Sequence, residues 1–383
     1  MFVMRLKAVL DGLYGRRRSS IGAALALAGL AHLAATSLFS WHFVTAGSRA
    51  LWSINGLHLY ARSPDLQMGP LTFAVGGLFS VVLPGAVGAL LAVLVMLAVG
   101  YFAIEATRSF VPGDSPRHQR QWMAAAVLAA FVWTEVSVHY GHLDDVLALG
   151  AAVCAIGLAR QGKLTAAAIC IGLTIDFKPW TLPLVALLAA DAGTGRLLRR
   201  LTVVALVVVA AWLPFFLADA ATAHIFGFTI PIAQTSALRV FGVHGGMTPS
   251  WDRAVQLGGA TVLVFLAVLR RRWEAVLVLL VAFRMLLDPA AYPYYDSGLV
   301  LGTLLFDTAR SSRLKLAAPP VTTIVAVLGI TVADYVLPAH VAGVVRAAAL
   351  VAILAIVLVG TLARGSAREK APAVSREAVV AGS

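Results

Sequence analysis

Residues 69–107 read GPLTFAVGGLFSVVLPGAVGALLAVLVMLAVGYFAIEAT, an apolar run whose one charged residue, Glu105, lies close to its end. A helix that crosses a membrane needs about 20 predominantly apolar residues. The run is therefore too long for one simple crossing, and Pro84 and Gly85 divide it. Two alternatives stay open: a re-entrant or interfacial helix followed by one span, or more than one crossing.

Apolar runs recur through the whole chain. Hydrophobic residues make up 60% of it and charged residues 13%, which is about half the charged fraction of a soluble domain. The period-two alternation of a membrane β-barrel is absent. We therefore predict an all-α, polytopic helical membrane protein with about 11–13 transmembrane helices. The predicted spans lie near 21–39, 69–107, 122–138, 143–159, 164–176, 178–190, 200–217, 254–269, 273–287, 297–309, 319–337 and 342–362.

The charged residues between these runs predict the orientation. Lys and Arg concentrate in cytoplasmic loops, and most of them fall in the inner loops if the N-terminus is inside. We predict a multi-pass protein of the cell membrane with cytoplasmic termini, one integral-membrane domain over 1–362 and a disordered cytoplasmic tail over 363–383. The net charge of +12 is then explained by basic residues in the inner loops. Membrane lipids are the expected partners, and no nucleic-acid partner is needed to account for the charge.

Four short polar clusters lie on the predicted outer side, at 62–67, 139–145, 176–180 and 288–296. Ionisable groups at membrane depth are costly, so they usually face a cavity or each other. The clusters therefore predict an outward-facing polar cavity. The alternative is that outer loops are simply hydrated and carry charge for that reason.

Asp65 is the leading candidate for catalysis. It lies in the first outer loop, immediately before the run that begins at Gly69. A carboxylate there is suited to removing a proton from a hydroxyl group. A structural turn at Ser-Pro-Asp is the equal alternative. Arg62 and Gln67 flank Asp65 and are candidate substrate-binding residues.

Asp144 and Asp145 open a predicted helix at its outer end. Acidic residues at a helix N-terminus are favourable without any further role. The alternative is a second acid or base, or a divalent metal site. His142 and His139 are the nearby imidazoles that such a site would use.

Lys178 lies in the sequence Asp-Phe-Lys-Pro-Trp between two apolar segments. It is either an interfacial anchor beside Trp180 or a ligand for an anion such as a lipid phosphate. Asp176 is a candidate ion-pair partner for it. Pro179 interrupts the helix here, and freed backbone groups at a helix break favour a cavity.

The segment 288–296 is rich in tyrosine. Tyr292, Tyr294 and Tyr295 fit the aromatic belt of a membrane interface, and they also suit stacking against a sugar ring. Asp296 completes this set of candidate substrate-binding residues.

Taken together, these motifs resemble the GT-C superfamily of integral-membrane glycosyltransferases. The motifs are Asp65 followed by Gly-Pro-Leu at 69–71, Gly-His-Leu-Asp-Asp at 141–145 and Lys-Pro-Trp-Thr-Leu-Pro at 178–183. Within that superfamily the chain resembles the actinobacterial, polyprenol-phosphate-mannose-dependent mannosyltransferases of glycosyltransferase family 87.

The resemblance implies a hexosyltransferase that moves a sugar, mannose in this family, from a polyprenyl phosphate to a lipid-linked or cell-envelope glycan outside the cytoplasm. Asp65 takes the position of the catalytic base, and the reaction inverts the anomeric carbon. Lys178 faces the donor phosphate, with His142, Asp144 and Asp145 beside the pocket. No cofactor is required, and a divalent metal at Asp144 and Asp145 stays open. A transporter or flippase for a lipid or glycolipid, and a non-catalytic glycolipid-binding protein, are the alternatives.

Overall fold

The computed structural model describes residues 17–35, 37–83, 85–111, 115–190, 193–313 and 319–363. Within these ranges the chain forms helices and no named strand; Pro231 and Met247 form an isolated bridge. The all-helical prediction is therefore confirmed for the described residues. Of the predicted tail, 364–383 lies outside the described residues.

The α-helices are numbered in chain order. They are α1 Arg17–Ala35, α2 Trp41–Leu51, α3 Leu59–Arg62, α4 Pro70–Gly77, α5 Ala86–Thr107, α6 Pro116–Thr134, α7 Leu143–Arg160, α8 Leu164–Phe177, α9 Thr194–Ala218, α10 Ala237–Val240, α11 Asp252–Leu269, α12 Val276–Leu287, α13 Asp296–Arg313, α14 Val321–Ala326, α15 Ala333–Val336 and α16 Ala339–Leu362. Wider π turns follow α4, α6 and α14, at Leu78–Val82, Glu135–His139 and Val327–Val332. Tighter 3₁₀ segments are Gly56–His58, Arg108–Phe110, Pro179–Ala190, Ala220–Gly227, Trp273–Ala275 and Pro293–Tyr295.

Five helical stretches are long and apolar enough to cross a membrane. They are Ala86–Phe110, Pro116–His139, Thr194–Ala218, Asp252–Leu269 and Ala339–Leu362. Shorter apolar helices are Pro70–Val82, Leu164–Phe177, Pro179–Ala190 and Val321–Val336. These stretches indicate a membrane protein.

The run 69–107 divides where its sequence predicts. A short helix ends in the π turn Leu78–Val82, and the long helix α5 begins at Ala86. Gly85 between them has a positive φ of 80°, a conformation that glycine adopts without steric cost. The run is thus one short helix followed by one helix of spanning length.

Helix α12 lies in the core of the protein. Its residues from Val276 to Ala282 are all buried. A helix that is apolar on every side belongs in the interior, and α11, α13 and α16 pack around α12. The C-terminal end of α12, with Arg284, therefore lies at the end of the bundle where the polar clusters meet.

Candidate functional site

The predicted outer clusters meet at one end of the bundle, around an open cavity of about 470 Å³. Eight of the candidate residues are in its wall. They are Asp65, Gln67, His142, Lys178, Trp180, Tyr292, Tyr294 and Tyr295. The wall also contains residues from the start of α11 and the end of α12, namely Asp252, Arg253, Gln256, Arg284 and Asp288.

The loop that carries Asp65 is fixed on both sides of this residue. The amide of Gln67 donates to the carbonyl of Pro64 at 2.7 Å and to that of Ile225 at 3.3 Å. The hydroxyl of the buried Tyr60 donates to the carbonyl of Met68 at 2.8 Å. The side chain of Asp65 itself is exposed in the cavity.

Gly69 joins this loop to the end of α8. Its backbone N–H donates to the carbonyl of Phe177 at 3.3 Å, and a Cβ on Gly69 would lie 1.4 Å from the carbonyl oxygen of Asp176. The carboxylate of Asp176 accepts a hydrogen bond from the N–H of Leu71 at 3.0 Å. The expected pairing of Asp176 with Lys178 is therefore wrong, because Asp176 caps the start of α4 instead.

We expect Gly69→Ala to destabilise the fold by about 3 kcal/mol, the upper end of the usual cost of overpacking, because its methyl group would collide with backbone. Gly157→Ala is the matched control. A Cβ on Gly157, inside α7, meets nothing within 4 Å, so this change should stabilise the protein by about 0.5–1 kcal/mol. Thermal unfolding in detergent measures both. A Gly69→Ala protein that unfolds at the wild-type temperature would show that the two segments are not in contact.

Lys178 lies at a break between α8 and the 3₁₀ segment Pro179–Ala190. The residue before a proline is disfavoured in the helical region, and Lys178 has extended backbone with φ −145° and ψ 105°. Its ammonium nitrogen lies 2.6 Å from Asp144 Oδ2 and 3.2 Å from Asp145 Oδ2. The ammonium therefore bridges both carboxylates.

His142 completes this group. Its Nδ1 lies 3.3 Å from Asp144 Oδ1 and 3.6 Å from Asp145 Oδ2. Burial by itself would lower the pKa of the Lys178 ammonium, but Asp144 and Asp145 outweigh it and hold that pKa above its ordinary value. The Lys178 ammonium therefore stays charged, and the carboxylates of Asp144 and Asp145, behind the cavity wall, already balance its charge.

The same contacts decide how a metal would fit. Ligand atoms of His142, Asp144 and Asp145 lie within 4.8 Å of one another, which is a spacing that one cation can bridge. However, the Lys178 ammonium already contacts both carboxylates, so a metal would have to displace a charged side chain. The donor set fits the ammonium better than a divalent ion.

Tyrosines and His142 form an aromatic wall. The His142 and Tyr294 rings are stacked with centroids 3.9 Å apart, and Tyr294 stacks on Tyr292 at 5.4 Å. Tyr292 is exposed whereas Tyr294 is buried, so Tyr292 presents its ring to the cavity. Burial raises the pKa of the Tyr294 and Tyr295 hydroxyls, which therefore remain neutral hydrogen-bond donors.

Sequence reasoning missed Arg284. Its guanidinium lies over the rings of Trp180 and Tyr295, 4.7 Å and 4.1 Å from their centroids, and 2.9 Å from Asp288 Oδ2. Arg284 belongs to an apolar run that the sequence predicts as a simple span. A charged residue inside such a run, with an opposite charge four residues later, is the signal that could have found it.

The first turn of α11 supplies further polar groups. Gln256 donates to the carboxylate of the buried Asp252 at 2.7 Å. Arg253 is exposed, and its guanidinium donates to the carbonyl of Phe228 at 3.0 Å. Arg253 therefore presents a guanidinium at the cavity surface without a carboxylate within ion-pair distance among the described residues.

Four candidate residues lie outside the cavity wall. Asp144 and Asp145 lie behind Lys178, and Arg62 is exposed on α3 near Asp219. Asp296 is buried at the start of α13, where its Oδ1 accepts a hydrogen bond from Arg346 at 3.3 Å. The structure thus corrects the assignment of Asp296 as a substrate ligand, because its charge is directed into the protein.

The chain matches no family model, no curated protein and no solved structure. The resemblance to the GT-C superfamily therefore rests on the sequence motifs alone.

Proposed function

We propose that the protein is an integral-membrane glycosyltransferase with a GT-C-like arrangement of about 11–13 membrane helices. It would transfer a hexose, mannose by resemblance, from a polyprenyl phosphate to a lipid-linked or cell-envelope glycan outside the cytoplasm, with both termini cytoplasmic. The observation that carries the proposal is the convergence of Asp65, the tyrosine wall and basic side chains on one open cavity.

The chemistry of the cavity supports a sugar as substrate. The exposed ring of Tyr292 offers a flat apolar surface, which suits the apolar face of a pyranose. The amide oxygen of Gln67 and the neutral Tyr295 hydroxyl offer hydrogen-bonding groups in the same cavity. Phe39 and Phe43, both exposed in its wall, offer an apolar surface for the first units of a polyprenyl tail.

Basic side chains support a phosphate-bearing donor. Lys178 alone is a weak choice for the phosphate ligand, because Asp144 and Asp145 already neutralise it. Arg253 has an exposed guanidinium, and the guanidinium geometry suits phosphate oxygens. Arg284 is likewise paired, with Asp288 at 2.9 Å. We therefore assign the main phosphate contact to Arg253.

The proposed reaction is a single displacement. Asp65 accepts the proton of an acceptor hydroxyl, and the oxygen forms a bond to the anomeric carbon of the donor sugar. The bond from that carbon to the phosphate oxygen breaks, and its electron pair leaves with the polyprenyl phosphate. Arg253 stabilises the charge that grows on the departing phosphate. Attack opposite the leaving group inverts the anomeric carbon.

Reconstituted protein and a radiolabelled polyprenyl-phosphate mannose test this proposal. We expect labelled glycan and free polyprenyl phosphate to appear in equal amounts when envelope glycolipids are supplied as acceptors. Movement of the labelled lipid across the bilayer without sugar transfer would contradict the proposal and support a flippase. Donor binding without turnover on any acceptor would also contradict it and support a non-catalytic glycolipid-binding protein.

We expect Arg253→Ala to raise the KM for the donor by about 10–100-fold, because one charge-assisted hydrogen bond is worth about 1.5–3 kcal/mol. Arg62→Ala is the matched control, since Arg62 is also an exposed arginine but lies outside the cavity wall. Initial rates at varied donor concentration measure both. An unchanged KM in Arg253→Ala, or an equal effect in Arg62→Ala, would remove the phosphate role from Arg253.

A further inference from the structure

A second cluster of titratable side chains lies away from the cavity, between α1 and the π turn that ends α6. His32 Nε2 lies 3.4 Å from Glu135 Oε1, and His139 Nδ1 lies 2.9 Å from Glu135 Oε2. The two imidazole rings are stacked with centroids 5.2 Å apart. Ligand atoms of the three residues all lie within 4.8 Å of one another.

We propose that His32, Glu135 and His139 bind a divalent transition-metal ion of the Zn²⁺ class. Imidazole nitrogens and a carboxylate oxygen are the ligands that Zn²⁺ takes in proteins, with bonds of about 2.0–2.2 Å. Ligand atoms at such distances from one ion in tetrahedral geometry are about 3.4 Å apart. His32 Nε2 and Glu135 Oε1 have this separation, whereas His139 Nδ1 lies at hydrogen-bond distance, 2.9 Å, from the other carboxylate oxygen and would have to move slightly outward around an ion. A water molecule would complete four-fold coordination.

The backbone holds these ligands in place before any ion binds. The N–H of Tyr140 donates to the carbonyl of Glu135 at 2.9 Å, five residues back, which widens the helix into a π turn. Such turns are rare and occur frequently at functional sites. The N–H groups of Leu38 and Phe39, after α1, donate to the carbonyls of Val138 and His139, each at 2.9 Å. The two helices that carry the ligands are therefore tied together.

The electrostatic environment favours a cation. Asp296 lies near Glu135, and Asp296 and Asp334 both pair with the single guanidinium of Arg346, at 3.3 Å and 2.6 Å. In the described part of the chain, Glu135 interacts with the two imidazoles and with the Tyr335 hydroxyl but forms no ion pair with an ammonium or guanidinium group. The cluster differs in this from His142, Asp144 and Asp145, where the Lys178 ammonium already occupies the position that a metal ion would take.

The ligands are also accessible. The side chains of His32 and His139 are 25% and 22% exposed, and that of Glu135 is 8% exposed. An ion can therefore reach them, while the carboxylate stays in surroundings that strengthen its attraction. Tyr140, next to His139, is part of the cavity wall, so a bound ion would also hold that part of the wall in place.

Cobalt(II), a coloured substitute for zinc, gives a direct test on the purified full chain after removal of metals with a chelator. We expect one equivalent of Co²⁺ to give the strong visible absorption of four-coordinate cobalt, and Zn²⁺ to abolish it by displacement. We expect His139→Ala and His32→Ala to lose the absorption. His142→Ala, which alters the other histidine–aspartate cluster, should retain it.

Glu135→Gln is the conservative variant, which should fold even where an alanine variant does not. Its amide keeps the size and one acceptor of the carboxylate. Loss of a residue that only orients a ligand weakens metal binding by about 10–100-fold. Loss of the charge on a ligand itself should therefore lower the affinity for Co²⁺ at least about tenfold. Zn²⁺ should raise the unfolding temperature of the wild type and of His142→Ala, but not of His139→Ala. The proposed site would be overturned if the wild type showed no Co²⁺ absorption. It would also be overturned if His142→Ala lost the absorption while His139→Ala kept it.

Discussion

Asp65→Asn is expected to lower the turnover of sugar transfer by about 10²–10⁴-fold, the usual contribution of a general base. Asparagine keeps the shape of the side chain but cannot accept the proton of the acceptor hydroxyl. Asp65 is exposed, and hydrogen bonds of its neighbours Gln67 and Met68 fix the loop. The KM for the donor should therefore change little, which is the pattern of a group that acts in the transition state.

Asp219→Asn is the matched control for this experiment. Asp219 is a partly exposed carboxylate between α9 and the 3₁₀ segment that follows it, and it contacts His58 at 3.1 Å and the N–H of Ala221 at 3.0 Å. It is absent from the cavity wall. Its variant should keep wild-type turnover in the same assay. Wild-type turnover in Asp65→Asn would eliminate the base assignment, and an equal loss in both variants would indicate a general effect on the outer loops.

The sequence predicts the helical class, the helix break between Val82 and Ala86 and the meeting of the predicted outer clusters, because each depends on local signals. Apolar runs, prolines and glycines determine where helices begin and end. Loops at the same ends of packed helices then meet in space. This is why the clusters predict a polar cavity, and Asp65, Lys178 and Tyr292 do line one cavity.

The pairing of charges could not be predicted in the same way. Lys178 was matched with Asp176 because they are close in sequence, whereas the fold brings it to Asp144 and Asp145 on the neighbouring helix. Arg284 was hidden in an apolar run, and Asp296 was grouped with the tyrosines beside it. Which partner a buried charge finds depends on helix packing and rotation, and these are set by contacts between residues far apart in sequence.

Lys178→Met is expected to lower the free energy of unfolding by about 3–5 kcal/mol, the usual cost of leaving a buried charge without its partner. Asp144 and Asp145 are almost fully buried, and Lys178 is the ammonium that contacts both. The pKa of Lys178 is held above its ordinary value by these carboxylates. The ammonium is therefore charged in the folded and unfolded chain at neutral pH, and the stabilisation is fully present there and is lost only in strong alkali.

Asp144→Asn gives the comparison that separates charge from packing. It removes one of two carboxylates and leaves Lys178 paired with Asp145 at 3.2 Å, so it should destabilise the protein clearly less than Lys178→Met. The double variant Asp144→Asn, Lys178→Met leaves one buried carboxylate without the ammonium, where Lys178→Met alone leaves two, and should lie between the two single variants. Thermal or denaturant unfolding in detergent measures this order. If the Lys178→Met variant were no less stable than Asp144→Asn, the ammonium would not be the charge that stabilises the two buried carboxylates.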